Sequence, residues 1–409
     1  MESDQTRTIR PGRGKIRRSR AALAGAGVVA LALAVAVVTA LALRTGSTPH
    51  TRPSASQHAA ALPTLAMTSF AGYPGQMAGT PKLAVTAVAA GDGERLAVGS
   101  AGGHPAVWRQ DASGAWTLLT SLSGLPARSR VATLTSVTYG PAGWLAVGVP
   151  GPVILWSSEG TAWRPAPGNI AAELGKITVV SATGGPRGYV IVGKLAAPGG
   201  GCVEDVLWSR NLTSWTRARD VDAPAGSSQT LAVAALPDGF VSVGSHNGKP
   251  AVWVSPDGIT WRTIVLPGPR NAELNQIAVS GTQVVATGGS DGQGAGTPAF
   301  ALSSRDGGTT WRQEVLQLPQ PDTVITALAA GRQGFAAAGQ YGMAGQQQIV
   351  VWELATGRDT WTSADISGVT GRGMGRTHEI TALVASKDAV TGIGPAAGRQ
   401  VVILTLPAG

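Results

Sequence analysis

The chain has 409 residues, a formal net charge of +9 and one cysteine, Cys202. A single cysteine excludes an intramolecular disulfide. The positive charge is concentrated at the start of the chain, where residues 1–20 hold seven basic residues against two acidic ones. Because so much of the excess positive charge lies outside the predicted folded domain, we predict no nucleic-acid partner.

The first two predicted elements are a basic tail and an apolar helix. Residues 21–43 form an uncharged run of 23 residues, which is long enough to cross a bilayer. With the basic residues of 1–20 on the cytoplasmic side, the positive-inside rule predicts a transmembrane signal-anchor helix with the remaining chain outside the cell. The alternative is secretion after cleavage of a signal peptide near Ala42.

A linker follows, from residue 44 to residue 81. It is rich in Pro, Ser, Thr and Ala, a composition that favours an extended spacer. Within it, residues 62–72 (LPTLAMTSFAG) contain a short apolar run that is a candidate β-strand.

Residues 82–409 carry an internal repeat marked by tryptophan. Its markers are Trp116, Trp163, Trp215, Trp261, Trp311 and Trp361; the first and last lie 245 residues apart over five intervals, a mean period of 49. A fixed period of this size is typical of a repeat architecture. The recurring tryptophans are expected to pack between neighbouring units.

Each repeat reads as four short strands, A to D, separated by turn residues, which is the pattern of an all-β protein. Strand B ends in a glycine in seven repeats: Gly99, Gly148, Gly193, Gly244, Gly288, Gly339 and Gly394. We therefore predict a seven-bladed β-propeller of four-stranded antiparallel blades, preceded by one N-terminal transmembrane helix. The last repeat stops before a fourth strand, so residues 62–72 are expected to supply the outer strand of that blade.

The turns between strands C and D carry a recognisable motif. In the fifth repeat it reads S-x-D-x-G-x-T-W, and in the fourth it is one residue shorter; the motif residues are Ser304, Asp306, Gly308, Thr310 and Trp311, and Ser255, Asp257, Gly258, Thr260 and Trp261. These turns resemble those of Asp-box (BNR) repeat propellers, a group that includes sialidases, sortilin-type receptors and photosystem assembly factors. The resemblance implies a structural role for the motif, on the face away from catalytic sites.

The resemblance does not extend to sialidase chemistry. The Arg-Ile-Pro signature of those enzymes is absent, and none of the four tyrosines maps onto their nucleophile. We predict no catalytic residues, and whether the protein is an enzyme stays open, with a non-enzymatic role favoured. The five histidines are dispersed, so we predict no metal and no cofactor.

Candidate binding residues lie in the B–C and D–A connections, which share one end of a propeller and are longer than the turns at the other end. Two D–A segments, NIAAELGKI and PRNAELNQI, place Glu173 and Glu273 at equivalent sites two blades apart. The full candidate set is Glu173, Glu273, Arg270, Asp322, Arg376, His378 and Glu379. The alternative is that these are ordinary solvated loop charges.

The sequence thus favours a membrane-anchored, extracytoplasmic propeller that acts as a binding or scaffold module for a protein or a cell-envelope glycan. The alternative function is a glycan-active hydrolase or lyase with its site on the D–A/B–C loops.

Overall fold

The computed structural model describes residues 64–69, 83–119, 122, 132–173, 177–196, 202–218, 228–268, 271–290, 298–331, 333–342, 348–364, 379–385, 389–395 and 400–407. The predicted tail at 1–20 and the predicted anchor at 21–43 lie outside these residues. One short helix is described, α1 (Ile170–Glu173). Within the described ranges, no helix is long and apolar enough to cross a membrane.

The described chain is a β-propeller of four-stranded antiparallel sheets. Six blades are each built from four consecutive strands, A to D, so that strand A is innermost. Blade 1 comprises β2 Leu83–Gly91, β3 Glu94–Ala101, β4 His104–Gln110 and β5 Trp116–Leu118, and blade 2 comprises β6 Thr133–Gly140, β7 Gly143–Val149, β8 Val153–Ser157 and β9 Arg164–Pro165. Blade 3 comprises β10 Ile177–Gly185, β11 Gly188–Ala196, β12 Cys202–Ser209 and β13 Trp215–Arg217, and blade 4 comprises β14 Ser228–Leu236, β15 Gly239–His246, β16 Lys249–Ser255 and β17 Arg262–Val265. Blade 5 comprises β18 Ala272–Ser280, β19 Gln283–Ser290, β20 Phe300–Ser304 and β21 Arg312–Glu314, and blade 6 comprises β22 Val324–Gly331, β23 Gly334–Tyr341, β24 Gln348–Ala355 and β25 Thr362–Ser363.

A further four-stranded sheet, the composite sheet, combines the two ends of the described chain. It contains β26 (Ala382–Ala385), β27 (Ala389–Pro395) and β28 (Gln400–Pro407), with β1 (Thr64–Ser69) at its outer edge. β1 pairs antiparallel with β28, from Thr64 opposite Thr405 to Ser69 opposite Gln400. Blades made of consecutive strands therefore number six, one fewer than the predicted seven, and the remaining sheet needs a strand from within residues 62–72.

The core lies between neighbouring sheets. Each apolar cluster draws its side chains from two adjacent sheets, as when Trp163 and Trp144 of blade 2 pack with Leu96 of blade 1. The cluster of Trp108 and Trp116 joins blade 1 to Ala382 and Ile393 of the composite sheet, so the first and last sheets are neighbours. Tryptophan and small aliphatic side chains thus fill the same interfaces, and the repeat spacing places them there.

Strand A kinks at the same place in blades 1 to 6, where the register with strand B shifts by one residue. Just before the kink, strand A presses on the glycine that ends strand B. A Cβ added to Gly99 would lie 1.8 Å from the carbonyl oxygen of Ala84, and one added to Gly394 would lie 1.5 Å from that of Glu379. No side chain fits at that distance, which explains why this position is glycine in every repeat.

Candidate functional site

The two ends of the propeller differ in what they display. One end, the loop end, carries the B–C and D–A connections; the other, the turn end, carries the tight A–B and C–D turns. Polar networks cross blades at both ends. At the turn end, Arg305 and Arg312 of blade 5 contact Asp359 of blade 6; at the loop end, the network is built on strand A just before the kink. We define the rim position as the residue that precedes the one opposite the strand B glycine.

Gln229 and Glu273 both occupy the rim position. Thr230 pairs with Gly244 and Leu274 pairs with Gly288, so the residue before each is a rim residue of blade 4 or blade 5. Glu379 is the rim residue of the composite sheet, because its carbonyl oxygen faces Gly394. Three long polar side chains therefore start from one structural level.

The predicted equivalence of Glu173 and Glu273 is wrong. In blade 3 the residue opposite Gly193 is Val179, so Thr178 holds the rim position. Glu173 instead ends the short helix α1, before the strand begins. The two AEL segments align in sequence, and strands A and B have the same register in blades 3 and 5. Glu173 nevertheless lies five residues before the rim position of its blade, whereas Glu273 occupies the rim position itself.

A chain of hydrogen bonds links three blades at the loop end. Lys194, on strand B of blade 3, donates from Nζ to Oε1 of Gln229 in blade 4 at 3.0 Å. Gln229 then donates from Nε2 to Oε2 of Glu273 in blade 5 at 2.5 Å. All three side chains are half-buried. We call this set, Lys194–Gln229–Glu273, the rim network; it offers a cation, an amide and a carboxylate along one line.

Glu204 lies next to the rim network, on β12. Its Oε2 accepts a hydrogen bond from the Thr230 hydroxyl across the interface between blades 3 and 4, while Oε1 is buried without a hydrogen-bond partner. Burial raises the pKa of Glu204 to about 7, although the Thr230 hydrogen bonds and the charge of Lys194 act to lower it. Glu204 therefore titrates near neutral pH.

Glu173 belongs to a separate ion cluster at the edge of blade 3. Arg217 lies 2.5 Å from Oδ2 of the buried Asp205 and 3.8 Å from Oε2 of Glu173. The same guanidinium donates to the Glu173 backbone carbonyl at 2.6 Å. Burial raises the pKa of Asp205 and Arg217 opposes that effect. Since the Arg217 donors are used in holding α1, this cluster is part of the scaffold.

The other candidate residues fall into two groups. Asp322 is exposed and accepts a hydrogen bond from the Gly342 amide at 3.3 Å, and Glu379 is half-buried, with its pKa raised by burial. Arg270, Arg376 and His378 lie outside the described residues. Among the predicted residues that the structure describes, Glu273 alone joins the rim network.

Sequence reasoning missed three members of this region: Lys194, Gln229 and Glu204. A signal for Gln229 was present, because counting back fifteen residues from the strand B glycine reaches the rim position in blades 4 and 5 alike. Nothing comparable marks Lys194 or Glu204, since their contacts depend on how neighbouring blades face each other.

The turn end carries the Asp-box-like turns, and their hydrogen bonds are internal. In blade 5, Ser304 Oγ accepts from the Gly308 amide at 2.8 Å, and Trp311 Nε1 donates to the Gly308 carbonyl at 2.8 Å. The same two bonds occur in blade 4, between Ser255, Gly258 and Trp261. Desolvation alone would raise the pKa of Asp306, but hydrogen bonds led by those from Thr310 bring it down to about 2. The motif residues are committed to shaping the turn.

A shallow cleft of about 460 Å³ opens at the turn end between blades 4 and 5. It is lined by the turns themselves, including Pro237, Pro256 and Asp306, with Trp261 below. It lies at the end opposite the predicted binding loops. No group of three or more metal-ligating side chains occurs within the described ranges.

The chain matches no protein-family profile and no curated protein. Among solved structures it is similar to that of YCF48 bound to D1 peptide, with a TM-score of 0.52 and 14% sequence identity. The similarity covers 84% of this chain and 97% of that chain. At this identity the similarity establishes the class of fold, a β-propeller, and nothing about ligands.

Proposed function

We propose that this protein is a membrane-anchored, extracytoplasmic β-propeller of the Asp-box type that binds a protein partner through its loop end. The composite sheet acts as the seventh blade and closes the ring. The observation that carries the proposal is the rim network, because cation, amide and carboxylate groups from three blades converge there on one surface. Such groups recognise the charged side chains and backbone amides of a polypeptide.

Two other observations support a protein partner. The motif residues of the turn end are committed to turn geometry, as the Ser304 and Asp306 hydrogen bonds show, so the motif does not supply a ligand site and we place the binding surface at the loop end. The structurally similar YCF48 is a propeller in complex with D1 peptide, and by analogy a peptide segment is the ligand class we propose here.

Site-directed photo-crosslinking in native membranes tests the binding surface. A photo-reactive side chain at position 273 is expected to give a discrete adduct with one partner protein, and Lys194→Ala is expected to weaken that adduct several-fold. Position 238 is the matched control, since Asp238 has a 91% exposed side chain in a turn at the other end. Adducts of equal yield from both positions, or none from position 273, would refute the proposed surface.

The membrane anchor is the second part of the proposal, and it rests on the uncharged run at 21–43. The full chain is expected to stay in the membrane pellet after alkaline carbonate extraction, with the propeller open to added protease in intact spheroplasts. Release into the supernatant, with a new N-terminus just after Ala42, would instead establish a cleaved signal peptide.

Glu204 gives one specific reason to keep a glycan-active enzyme as the second candidate. A carboxyl with a pKa near 7 is what a general acid requires at neutral pH. If the protein cleaves envelope glycans, Glu204→Gln should abolish turnover while leaving the partner adduct from position 273 intact. Absence of turnover in the wild-type protein would remove this candidate.

A further inference from the structure

The outer edge of the composite sheet differs from the outer edges of the six blades. β1 has six residues, whereas the outer strands of the blades, β5, β9, β13, β17, β21 and β25, have between two and four. β1 pairs with β28 on one side, and no strand of the described chain pairs with its other side. The composite sheet therefore ends in the longest free edge of the described propeller.

This edge also lacks the features that normally stop strands from pairing. Natural edge strands are kept short or carry charged residues or proline. Four of the blade outer strands contain an arginine (Arg164, Arg217, Arg262 and Arg312), and the remaining two, β5 and β25, have three and two residues. β1 reads TLAMTS, with neither charge nor proline. A free edge of this kind is expected to find a partner strand.

The sequence of β1 is complementary to itself when read antiparallel. With Ala66 at the centre, Leu65 falls opposite Met67 of a second copy, and Thr64 falls opposite Thr68 of that copy. Apolar residues then face apolar residues and hydroxyls face hydroxyls, which are favourable cross-strand pairs. Two identical strands that pair antiparallel are related by a two-fold axis, the commonest symmetry of protein dimers.

We propose that two copies of this chain associate through their β1 edges and join two composite sheets into one eight-stranded antiparallel sheet. A second copy fits this edge because the strand supplies its own complement. The proposal is independent of the partner proposed for the loop end, since the rim network lies on blades 3 to 5.

Disulfide trapping in the full-length protein tests the register. In a Cys202→Ser background, which removes the single native cysteine, Ala66→Cys would place two thiols opposite each other across the axis. Opposed residues in antiparallel strands have Cα atoms about 4.5–5.5 Å apart, which suits a disulfide. Mild oxidation is expected to convert most of this variant into a reducible dimer, whereas the matched control Thr263→Cys, on β17, stays monomeric. Equal trapping in both, or in neither, would overturn the proposal.

Two further variants separate edge pairing from other arrangements. The double variant Thr64→Lys/Thr68→Lys sets lysines against each other across the axis and should weaken the dimer at least tenfold in sedimentation velocity in detergent. Should that variant fail to fold, the trapping result decides.

In Ala66→Cys/Ile403→Cys, made in the Cys202→Ser background, the two cysteines are direct neighbours within one sheet. Their disulfide should form within one chain, and a 66–403 disulfide mapped between chains would show strand exchange and overturn edge pairing.

Discussion

Two interfaces of the propeller are packed with different side chains. One lies between blades 1 and 2, and the other lies between blade 6 and the composite sheet. The first is filled by Trp144 and Trp163, both nearly inaccessible to solvent, against Leu96. The cluster of the second holds no tryptophan; its large members are Ile349, Val351, Ile380 and Leu383. Each of the two clusters also contains four buried alanines. One repeat architecture can therefore hold interfaces of unequal apolar content.

Both interfaces share one kind of hydrogen bond, since Thr86 Oγ1 at the strand A kink of blade 1 donates to the Leu134 carbonyl of blade 2 at 2.5 Å. Thr326 donates from Oγ1 to the Ile380 carbonyl at 2.6 Å, and Thr381 donates to the Val85 carbonyl at 2.8 Å. Each bond joins a threonine at the strand A kink to the next sheet. The bonds from Thr326 and Thr381 flank the composite sheet, so the place where the chain closes on itself is held by polar contacts and by β1.

Removing β1 is the largest change that tests this comparison. Deletion of residues 61–72 should lower the melting temperature sharply, because it exposes the edge of β28 and removes the six residue pairs with β1. Calorimetry of the full chain in detergent measures it. An unchanged midpoint would show that the composite sheet does not depend on β1.

Trp163→Ala tests the tryptophan-rich interface. Truncating a fully buried tryptophan should reduce the free energy of unfolding by roughly 3–5 kcal/mol. Leu383→Ala, in the interface between blade 6 and the composite sheet, is the matched comparison and should cost about 2–3 kcal/mol, because less side chain is removed. Urea denaturation followed by tryptophan fluorescence gives both values, and equal losses would contradict the contrast between the interfaces.

The interface between blades 3 and 4 adds a case in which burial works against stability. Glu204 has its pKa raised from 4.5 to about 7 in the fold, so the native state binds more protons than the unfolded state between these values. The free energy of unfolding should fall as pH rises from about 4.5 to 7. Glu204→Gln should remove that slope and raise stability at pH 8 by roughly 3 kcal/mol. A wild-type pH profile identical to that of the variant would contradict the burial of this carboxyl.

Thr381→Val should have the smallest effect. It removes one hydrogen bond between the composite sheet and blade 1 while keeping the shape of the side chain, and should cost about 1 kcal/mol. The control is Thr135→Val, because Thr135 Oγ1 donates at 3.4 Å to Val147 of its own blade. Chemical denaturation should rank Thr381→Val as the more damaging variant, and the reverse order would argue against a closing role for this bond.

The fold was predictable because its determinants are local and repeated. The four-stranded antiparallel blade of a β-propeller, inferred from the tryptophan period and the strand B glycines, is confirmed. The strand that completes the last sheet has no periodic signal of its own. The sequence indicated it indirectly, because the last repeat stops before a fourth strand, and β1 lies within the expected segment 62–72.

The rim network was largely beyond sequence reasoning for a different reason. Glu173 and Glu273 share the same flanking letters, but Glu173 lies 20 residues before the strand B glycine of its blade and Glu273 lies 15 before its own, so aligning the letters gave a false equivalence. Lys194 and Gln229 meet because two blades face each other, and neither residue carries a motif. A contact between blades that recurs in every repeat, such as tryptophan packing, can be read from the sequence, but a polar contact that occurs at one interface leaves no repeating pattern.

The direction of β1 has a consequence for how the propeller is connected to the rest of the chain. Because β1 runs antiparallel to β28, Thr64 lies beside Thr405, where strand C approaches the turn end. Thr64 consequently lies at the end remote from Lys194, Gln229 and Glu273. If the chain before Thr64 tethers the protein and the rim network binds a partner, as we propose, attachment and recognition use opposite ends of the propeller.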